Sequence, residues 1–292
     1  MDQALQESYQ ECKRLNSLHG KTYYLATLLL PKSKRPYVHA LYGFARYADE
    51  IVDDLASTLS PQEKADALRS WSTGVLEDLK KGTSTDHIGR ALVDTARKFD
   101  IPHQHFVDFL HSMEMDLTVT EYQSYEALLE YVYGSAAVIG LEMVPVLGYS
   151  DKRAFEAAKK LGIAFQLANF IRDVNEDLDR GRVYLPLDEL ARFGVNRAML
   201  ERRVLTPEIV EALKFQIARV RSLQEEADVG IAYLDKTSRP CIRAASELYC
   251  GIVDEVEAIG YDVFNKRAKT STGRRARVAG AAYLQAIAAR IR

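Results

Sequence analysis

Long stretches of this chain repeat their apolar residues at three-and-four spacing, and very little interrupts them. Between Pro36 and Ser57 the positions Val38, Leu41, Ala45, Ala48 and Val52 share one helical face. From Lys152 to Asp179 the pattern continues through Ala154, Ala157, Leu161, Ala164, Leu167, Ala168 and Ile171. Alternation of strand type is hard to find. Pro31, Pro36, Pro61, Pro102, Pro186, Pro207 and Pro240 fall between helix-period segments. Pro145 is the exception, placed to kink or end a helix because it has no N–H to donate. Ser60-Pro61 and Thr206-Pro207 read as helix starts, a capping side chain ahead of a proline in the first turn. Asp100-Ile101-Pro102 closes one helix and opens the next. No Gly/Ser linker, low-complexity run or short repeat divides the chain. The pattern predicts an all-α fold, one helical domain over residues 1–292.

Charge and cysteine content narrow the function. The 39 basic and 41 acidic side chains leave a net charge of -2, so no global basic field marks a nucleic-acid binder. Cys12, Cys241 and Cys250 are odd in number and form no C-x-x-C pair, which argues against a disulfide framework or a zinc site and for a reduced cytoplasm. Residues 1–11 are polar and do not read as a signal peptide. Tyr131 to Ser150 is nearly uncharged, but Glu142, Gly134, Gly140 and Pro145 interrupt it, while a spanning helix needs roughly 20 predominantly apolar residues. It is expected to be a buried helix lining an interior cavity.

Two aspartate pairs at spacing four stand out. Asp49 and Asp53 lie one turn apart on a helix, with Arg46 and Tyr42 on the preceding turns. Asn169, Asp173 and Asp177 share a second face, with Gln166 at its edge and Arg172 beside it. Like charges at this spacing repel by a few tenths of a kcal/mol, so stability alone would favour a cation at one position. Carboxylates are hard oxygen ligands that suit magnesium, whose remaining coordination is filled by water and phosphate oxygens. Facing helices of a bundle can assemble such sites. Arg46 and Arg172 would add donors to the same phosphate oxygens. One such pair alone reads as a solvated acidic face. Two of them, each in an apolar helix and each with an arginine, read as a metal and diphosphate site.

These residues resemble the squalene and phytoene synthases, which condense prenyl diphosphates head to head. The likeness runs from about residue 8 to about residue 265. His19 to Pro31 is similar to the family's N-terminal flap, with Thr22 and Tyr23 as its hydroxyl and aromatic. Tyr42, Arg46, Asp49 and Asp53 match the first signature. MEMDLTVTEY (Met113 to Tyr122) and YVYGSAAVIG (Tyr131 to Gly140) match two further segments. NFIRDVNEDLDRGRVYLP (Asn169 to Pro186) matches the second signature at nearly every position. Ser112, Glu121 and Ala137 depart from the family pattern, where Gly, Arg and Gly are common.

The resemblance implies a helical bundle of the isoprenoid synthase type around a central cavity. It implies that Asp49, Asp53, Asn169, Asp173 and Asp177 hold magnesium, manganese being a possible substitute, with no nicotinamide cofactor. It implies that Arg46, Arg172, Arg182 and Gln166 bind diphosphate, with Lys21, Thr22, Tyr23 and Tyr249 as further substrate contacts. Tyr42, Tyr131 and Tyr249 are the candidates to face the carbocation, where an aromatic ring contributes about 0.5 to 2 kcal/mol. The expected reaction joins two geranylgeranyl diphosphates to phytoene through prephytoene diphosphate. The alternatives are condensation of two farnesyl diphosphates to dehydrosqualene, squalene or hydroxysqualene, a non-catalytic assembly factor, and a magnesium phosphohydrolase. His103, His105 and His111 read as structural or solvated. Residues 273–292, with Arg274, Arg275, Arg277, Arg290 and Arg292 around an apolar middle, read equally as a lipid-contacting helix and as a polar surface helix. The expected location is cytoplasmic, with or without contact at a membrane surface, and oligomeric state is left open.

Overall fold

Sixteen α helices carry the computed structural model, which describes residues 2–53 and 59–291 without the side chains of Asp53 and Pro61. They are α1 (Gln3–His19), α2 (Lys21–Thr27), α3 (Arg35–Asp53), α4 (Pro61–Lys81), α5 (His87–Phe99), α6 (His103–Met115), α7 (Tyr125–Val132), α8 (Val138–Leu147) and α9 (Arg153–Arg172). There follow α10 (Val174–Asp179), α11 (Leu187–Arg192), α12 (Arg197–Glu201), α13 (Pro207–Gly230), α14 (Arg239–Cys250), α15 (Ile252–Ala258) and α16 (Thr272–Ile291). Among the described residues strand pairing is limited to two isolated bridges, Glu121 with Val183 and Tyr149 with Leu234.

The expected helix boundaries have visible causes. Ser60 caps α4 in a full capping box with Glu63, and Pro61 takes the first turn. Thr206 caps α13 the same way, ahead of Pro207. Asp100 adopts a left-handed φ of 50° that ends α5. Pro145 is tolerated inside α8, which stops two residues later, before Gly148. One expectation fails in detail: the helix read through to Asp179 breaks at Asp173 (φ -98°, ψ 14°) into α9 and α10. The stagger survives, because Asp173 N bonds Asn169 O and Asp177 N bonds Asp173 O, both at 2.8 Å.

Two apolar clusters fill the interior. One lies among α1, α3 to α6 and α8, where Phe44 packs on Trp71, Phe106 and Phe109. Full burial of such a ring stabilises by about 1.5 to 3 kcal/mol. The other joins α7, α9, α13 and α15. Between them opens a cavity of about 530 Å³, bounded by α2, α3, α6, α8, α9, α13 and α14. Tyr125–Leu147 is long and apolar enough to cross a membrane, but Tyr131, Ile139, Met143 and Val144 face this cavity, as the sequence suggested. A π turn at Tyr133–Ala137 joins α7 to α8, and Ser112, one of the departures from the family pattern, donates to the Tyr131 carbonyl there at 2.9 Å. Close packing of the walls depends on absent side chains. A Cβ at Gly140 would stand 2.4 Å from the Ala158 carbonyl oxygen, and one at Gly162 2.6 Å from that of Ala136.

Beside Leu147, which lines the cavity, Lys34 ties three elements together. Its ammonium donates to the Leu147 carbonyl and to Ser238 Oγ (3.0 Å), and lies 3.5 Å from Asp235. One side chain thus joins the approach to α3, the end of α8 and the start of α14. The three cysteines are free and buried.

Candidate active site

The cavity has a charged mouth and an apolar interior. α3 brings Tyr42, Arg46 and Asp49 to the mouth, and α9 with its continuation brings Gln166, Asn169, Arg172, Asp173 and Asp177. Chain segments some 120 residues apart in sequence therefore line one space. Asp53 ends α3, but its side chain lies outside the described residues.

The two aspartate groups are held differently. Arg46 Nη1 donates to Asp49 Oδ2 at 2.8 Å, while its Nη2 reaches Glu50 Oε1 at 3.1 Å. Asp173 is gripped by Arg172, with Nε at 2.7 Å and a second, shorter contact from Nη2, and by Arg267 Nη2 at 3.2 Å. Arg267 also reaches Glu176 at 2.8 Å. Asp177 is 8% exposed, and Arg180 stands 3.8 Å from its Oδ1. Burial, and then the charge of Asp173, push its carboxyl up to about 7.

Also lining the cavity, Asp116 organises a polar cluster that the sequence pattern did not single out. Tyr131 donates to Asp116 Oδ2 at 2.8 Å and Tyr184 donates to Oδ1 at 2.9 Å. Arg182 Nη2 donates to the Asp116 backbone carbonyl at 2.8 Å. Phe170 stacks on Tyr184 at 4.1 Å, and Tyr122 completes a buried aromatic wall. Burial and the Asp116 charge hold the Tyr131 and Tyr184 hydroxyls far above their ordinary range, so both stay protonated and serve as donors. Asp116 sits inside the MEMDLTVTEY segment, where the signal was available. Arg267 carried none, since nothing near it in sequence links it to Asp173.

Other expectations are refined. α2 turns Tyr23, Ala26 and Thr27 toward the cavity, while Lys21 and Thr22 are exposed on its other side and do not line it. Tyr249 stands behind the lining, its ring 5.0 Å from Tyr23 and 4.9 Å from Phe165. Tyr42 does line the cavity, and burial pushes its hydroxyl up to about 12. Arg182 faces the mouth already engaged with Asp116, so a diphosphate would share it rather than find it idle.

Among the described residues no three His, Cys, Asp or Glu side chains are gathered as a ready metal cluster. The oxygens of Asp49 and Asp173 face arginines instead. The proposed ligands Asp49, Asn169, Asp173 and Asp177 are therefore brought to one mouth but not assembled as a set. The donor chemistry nonetheless fits a hard divalent ion. Asp177 is a buried carboxylate beside the charge of Asp173, with the Asn169 amide also lining the cavity.

Residues 17–274 match the squalene/phytoene synthase family. The chain is 38% identical to the chloroplastic phytoene synthase 2 of Oryza sativa subsp. japonica, over 98% of this chain and 72% of that one. It is 37% identical to the 15-cis-phytoene synthase of Synechococcus elongatus, over 93% and 91%. A dehydrosqualene synthase crystallised with a ligand superposes with a TM-score of 0.87 at 28% identity, covering 97% of this chain and 98% of that one. A squalene synthase from Alicyclobacillus acidocaldarius shares the fold, with a TM-score of 0.82 at 22% identity.

Proposed function

Because the chain belongs to the squalene/phytoene synthase family, we propose that it is a prenyltransferase joining two geranylgeranyl diphosphates head to head into phytoene. The observation that carries this is one cavity with two arginine-flanked aspartate helices at its mouth and an apolar interior, in a chain 36 to 39% identical to phytoene synthases. A metal ion is required by the diphosphate chemistry, and we assign magnesium, with Asp49, Asp53, Asn169, Asp173 and Asp177 as its holders. When bound it would neutralise charge on the departing diphosphate.

The protein's own groups do the rest. Arg46 and Arg172 already stand beside the carboxylates, and on substrate entry they turn their donors to diphosphate oxygens. The C–O bond of one allylic diphosphate breaks, and its electron pair leaves with the diphosphate. The double bond of the second substrate attacks the resulting cation, and loss of a proton closes the cyclopropane of prephytoene diphosphate. Loss of the second diphosphate, rearrangement and loss of another proton give phytoene. Ile139, Met143, Val144 and Phe165 keep water from the cation. Tyr42 and Tyr131 offer ring faces to it, and Asp116 fixes the Tyr131 ring through its hydroxyl. No side chain is assigned as the base; the released diphosphate takes the proton.

A second reading has a specific observation behind it. The superposed dehydrosqualene synthase points to two farnesyl diphosphates as substrates in the same cavity. Incubating the protein with magnesium and each diphosphate, then identifying the extracted hydrocarbon, separates the two. A forty-carbon product is expected. A thirty-carbon product alone would move the assignment to farnesyl diphosphate, and no hydrocarbon from either would defeat it. We place the enzyme in the cytoplasm or at a membrane surface, and its plant relatives are chloroplastic by name.

A further inference from the structure

The cavity wall is mostly apolar, yet among the described residues two buried side-chain oxygens on it lack any hydrogen-bond partner. Asn16, on α1, lines the cavity and is fully buried, and its Oδ1 is one of the two. Ser135, in the π turn between α7 and α8, lines the same space, and its Oγ is the other. Burying an acceptor without a donor costs free energy, so each atom raises the question of what it meets when substrate is bound.

Both orientations have causes. His39, on α3, is 3% exposed, and Tyr24 stacks on its ring at 5.8 Å. Burial pushes its imidazole down to about 4, so the ring stays neutral. Its Nδ1 stands 3.0 Å from Asn16 Nδ2. The amide donates and the ring nitrogen accepts, which assigns the histidine proton to Nε2. With Nδ2 pinned to α3, Oδ1 is left for the cavity. Ser135 has lost a competition instead. A helical serine often donates to the carbonyl four residues earlier. Here that carbonyl belongs to Tyr131, and it takes the Ser112 hydroxyl at 2.9 Å.

The positions matter as much as the atoms. His39 precedes Tyr42 by three residues, one turn further from Asp49 along α3, and Asn16 stands against it. Ser135 follows Tyr131 by four residues, again about one turn. Each unpaired oxygen is thus set beside an aromatic ring that the reaction proposed above turns toward a carbocation. A neutral oxygen already held in place lowers the energy of that cation without having to reorganise. Resting on that reaction, we propose that Asn16 is a catalytic residue whose fixed Oδ1 presents its dipole to the cation. His39 is the positioning residue that holds the amide, and Ser135 Oγ adds a second, weaker dipole. No bond to either oxygen forms, and no proton moves.

Binding tests this apart from turnover. The probes are a prenyl amine, protonated at neutral pH, and its uncharged carbon isostere, each measured by calorimetry with magnesium and inorganic diphosphate. Wild type should bind the ammonium compound more tightly. Asn16→Leu keeps the volume and removes the dipole, and should lose about tenfold of that preference. Its turnover should fall about a hundredfold with KM little changed, the lower end of what one preorganised dipole is worth to a charged transition state. Ser135→Ala should act in the same direction more weakly, and decides the matter if Asn16→Leu fails to fold. His39→Leu should resemble Asn16→Leu, whereas His39→Asn, which keeps an acceptor where Nδ1 stood, should restore most of the preference. Equal loss of affinity for both probes would overturn the proposal, because the oxygens would then only shape the wall. So would variants that keep the wild-type preference and turnover. A wild type that prefers the ammonium probe but forms no hydrocarbon would defeat the proposed reaction and leave the charge-specific site standing.

Discussion

The two aspartate-bearing helices read alike in sequence and are built differently. On α3, the Asp49 side chain is 45% exposed and pairs with Arg46 of its own helix. At the α9–α10 junction, Asp173 takes donors from Arg172 and from the distant Arg267, while Asp177 is nearly buried, with Arg180 no nearer than 3.8 Å to its Oδ1. The first group is a solvated arm that a diphosphate can approach from outside. The second is a fixed, largely buried seat where two carboxylates face each other. Identical spacing therefore does not mean identical cost: the α3 carboxylate sits in water, whereas the α10 carboxylate is kept at the expense of stability until a cation arrives.

If both groups nevertheless serve one ionisation, removing a carboxylate from either should be equally ruinous. Asp49→Asn and Asp173→Asn are each expected to lower turnover by about a thousandfold or more, since each removes several kcal/mol of charge stabilisation. Far-UV circular dichroism should remain that of the wild type. Near-normal activity in Asp49→Asn with loss in Asp173→Asn would show that the exposed helix is not part of the metal site.

A third acid serves as a control for burial without function. Glu142 on α8 is fully buried, and neither carboxyl oxygen has a hydrogen-bond partner among the described residues. It does not line the cavity. Burial holds its carboxyl well above the ordinary value of 4.5. The folded protein therefore binds this proton more tightly than the unfolded chain, so stability falls as pH rises above the ordinary value and levels off only past the folded one. Glu142→Gln removes that dependence. Its stability relative to wild type should improve with pH by up to ~1.4 kcal/mol per unit, while activity persists. Urea denaturation at pH 5 and pH 8 measures the gap; an equal gap at both would show that the acid is not buried in its neutral form.

The cluster at Asp116 extends the seat on the α10 side. Asp116→Asn keeps the shape but weakens its acceptance of the Tyr131 and Tyr184 hydroxyls. Turnover should fall roughly ten- to thirtyfold, on the scale of about 1 to 2 kcal/mol for hydrogen bonds to a charged group. Substrate KM should change little, because the network orients a ring rather than the diphosphate. A KM increase with unchanged turnover would place Asp116 in binding instead.

What could be read from the residues follows from how local the information is. The periodicity of α3 and α9, the cap at Ser60 and the aspartate spacing are properties of short segments, so they were visible. The break at Asp173 was not, because the helical pattern runs on into α10 and only the tertiary structure asks the chain to turn. Lys21 and Thr22 were placed at the site by likeness to a flap, whereas the face α2 presents inward is decided by what it packs against. Arg267 and Asp116 show the same limit. Each meets its partner across tens of residues, and a single sequence carries no record of that meeting.

The smallest effect is the most direct measure of the difference between the helices. In the metal-free protein at pH 8, Asp177→Asn removes a buried charge that faces another carboxylate, so the variant should be more stable than wild type by about 1 kcal/mol. Asp49→Asn removes an exposed partner of Arg46, and its stability should lie within about 0.5 kcal/mol of wild type. Both variants should be inactive. The ranking is read from denaturation midpoints at constant slope, so a change in the compactness of either state is detected separately. Equal midpoints for the two variants would mean that the α10 carboxylate is no more costly than the α3 one. A gain for Asp177→Asn alone would show that the fold gives up stability at one helix, and only one, to keep a place for a cation.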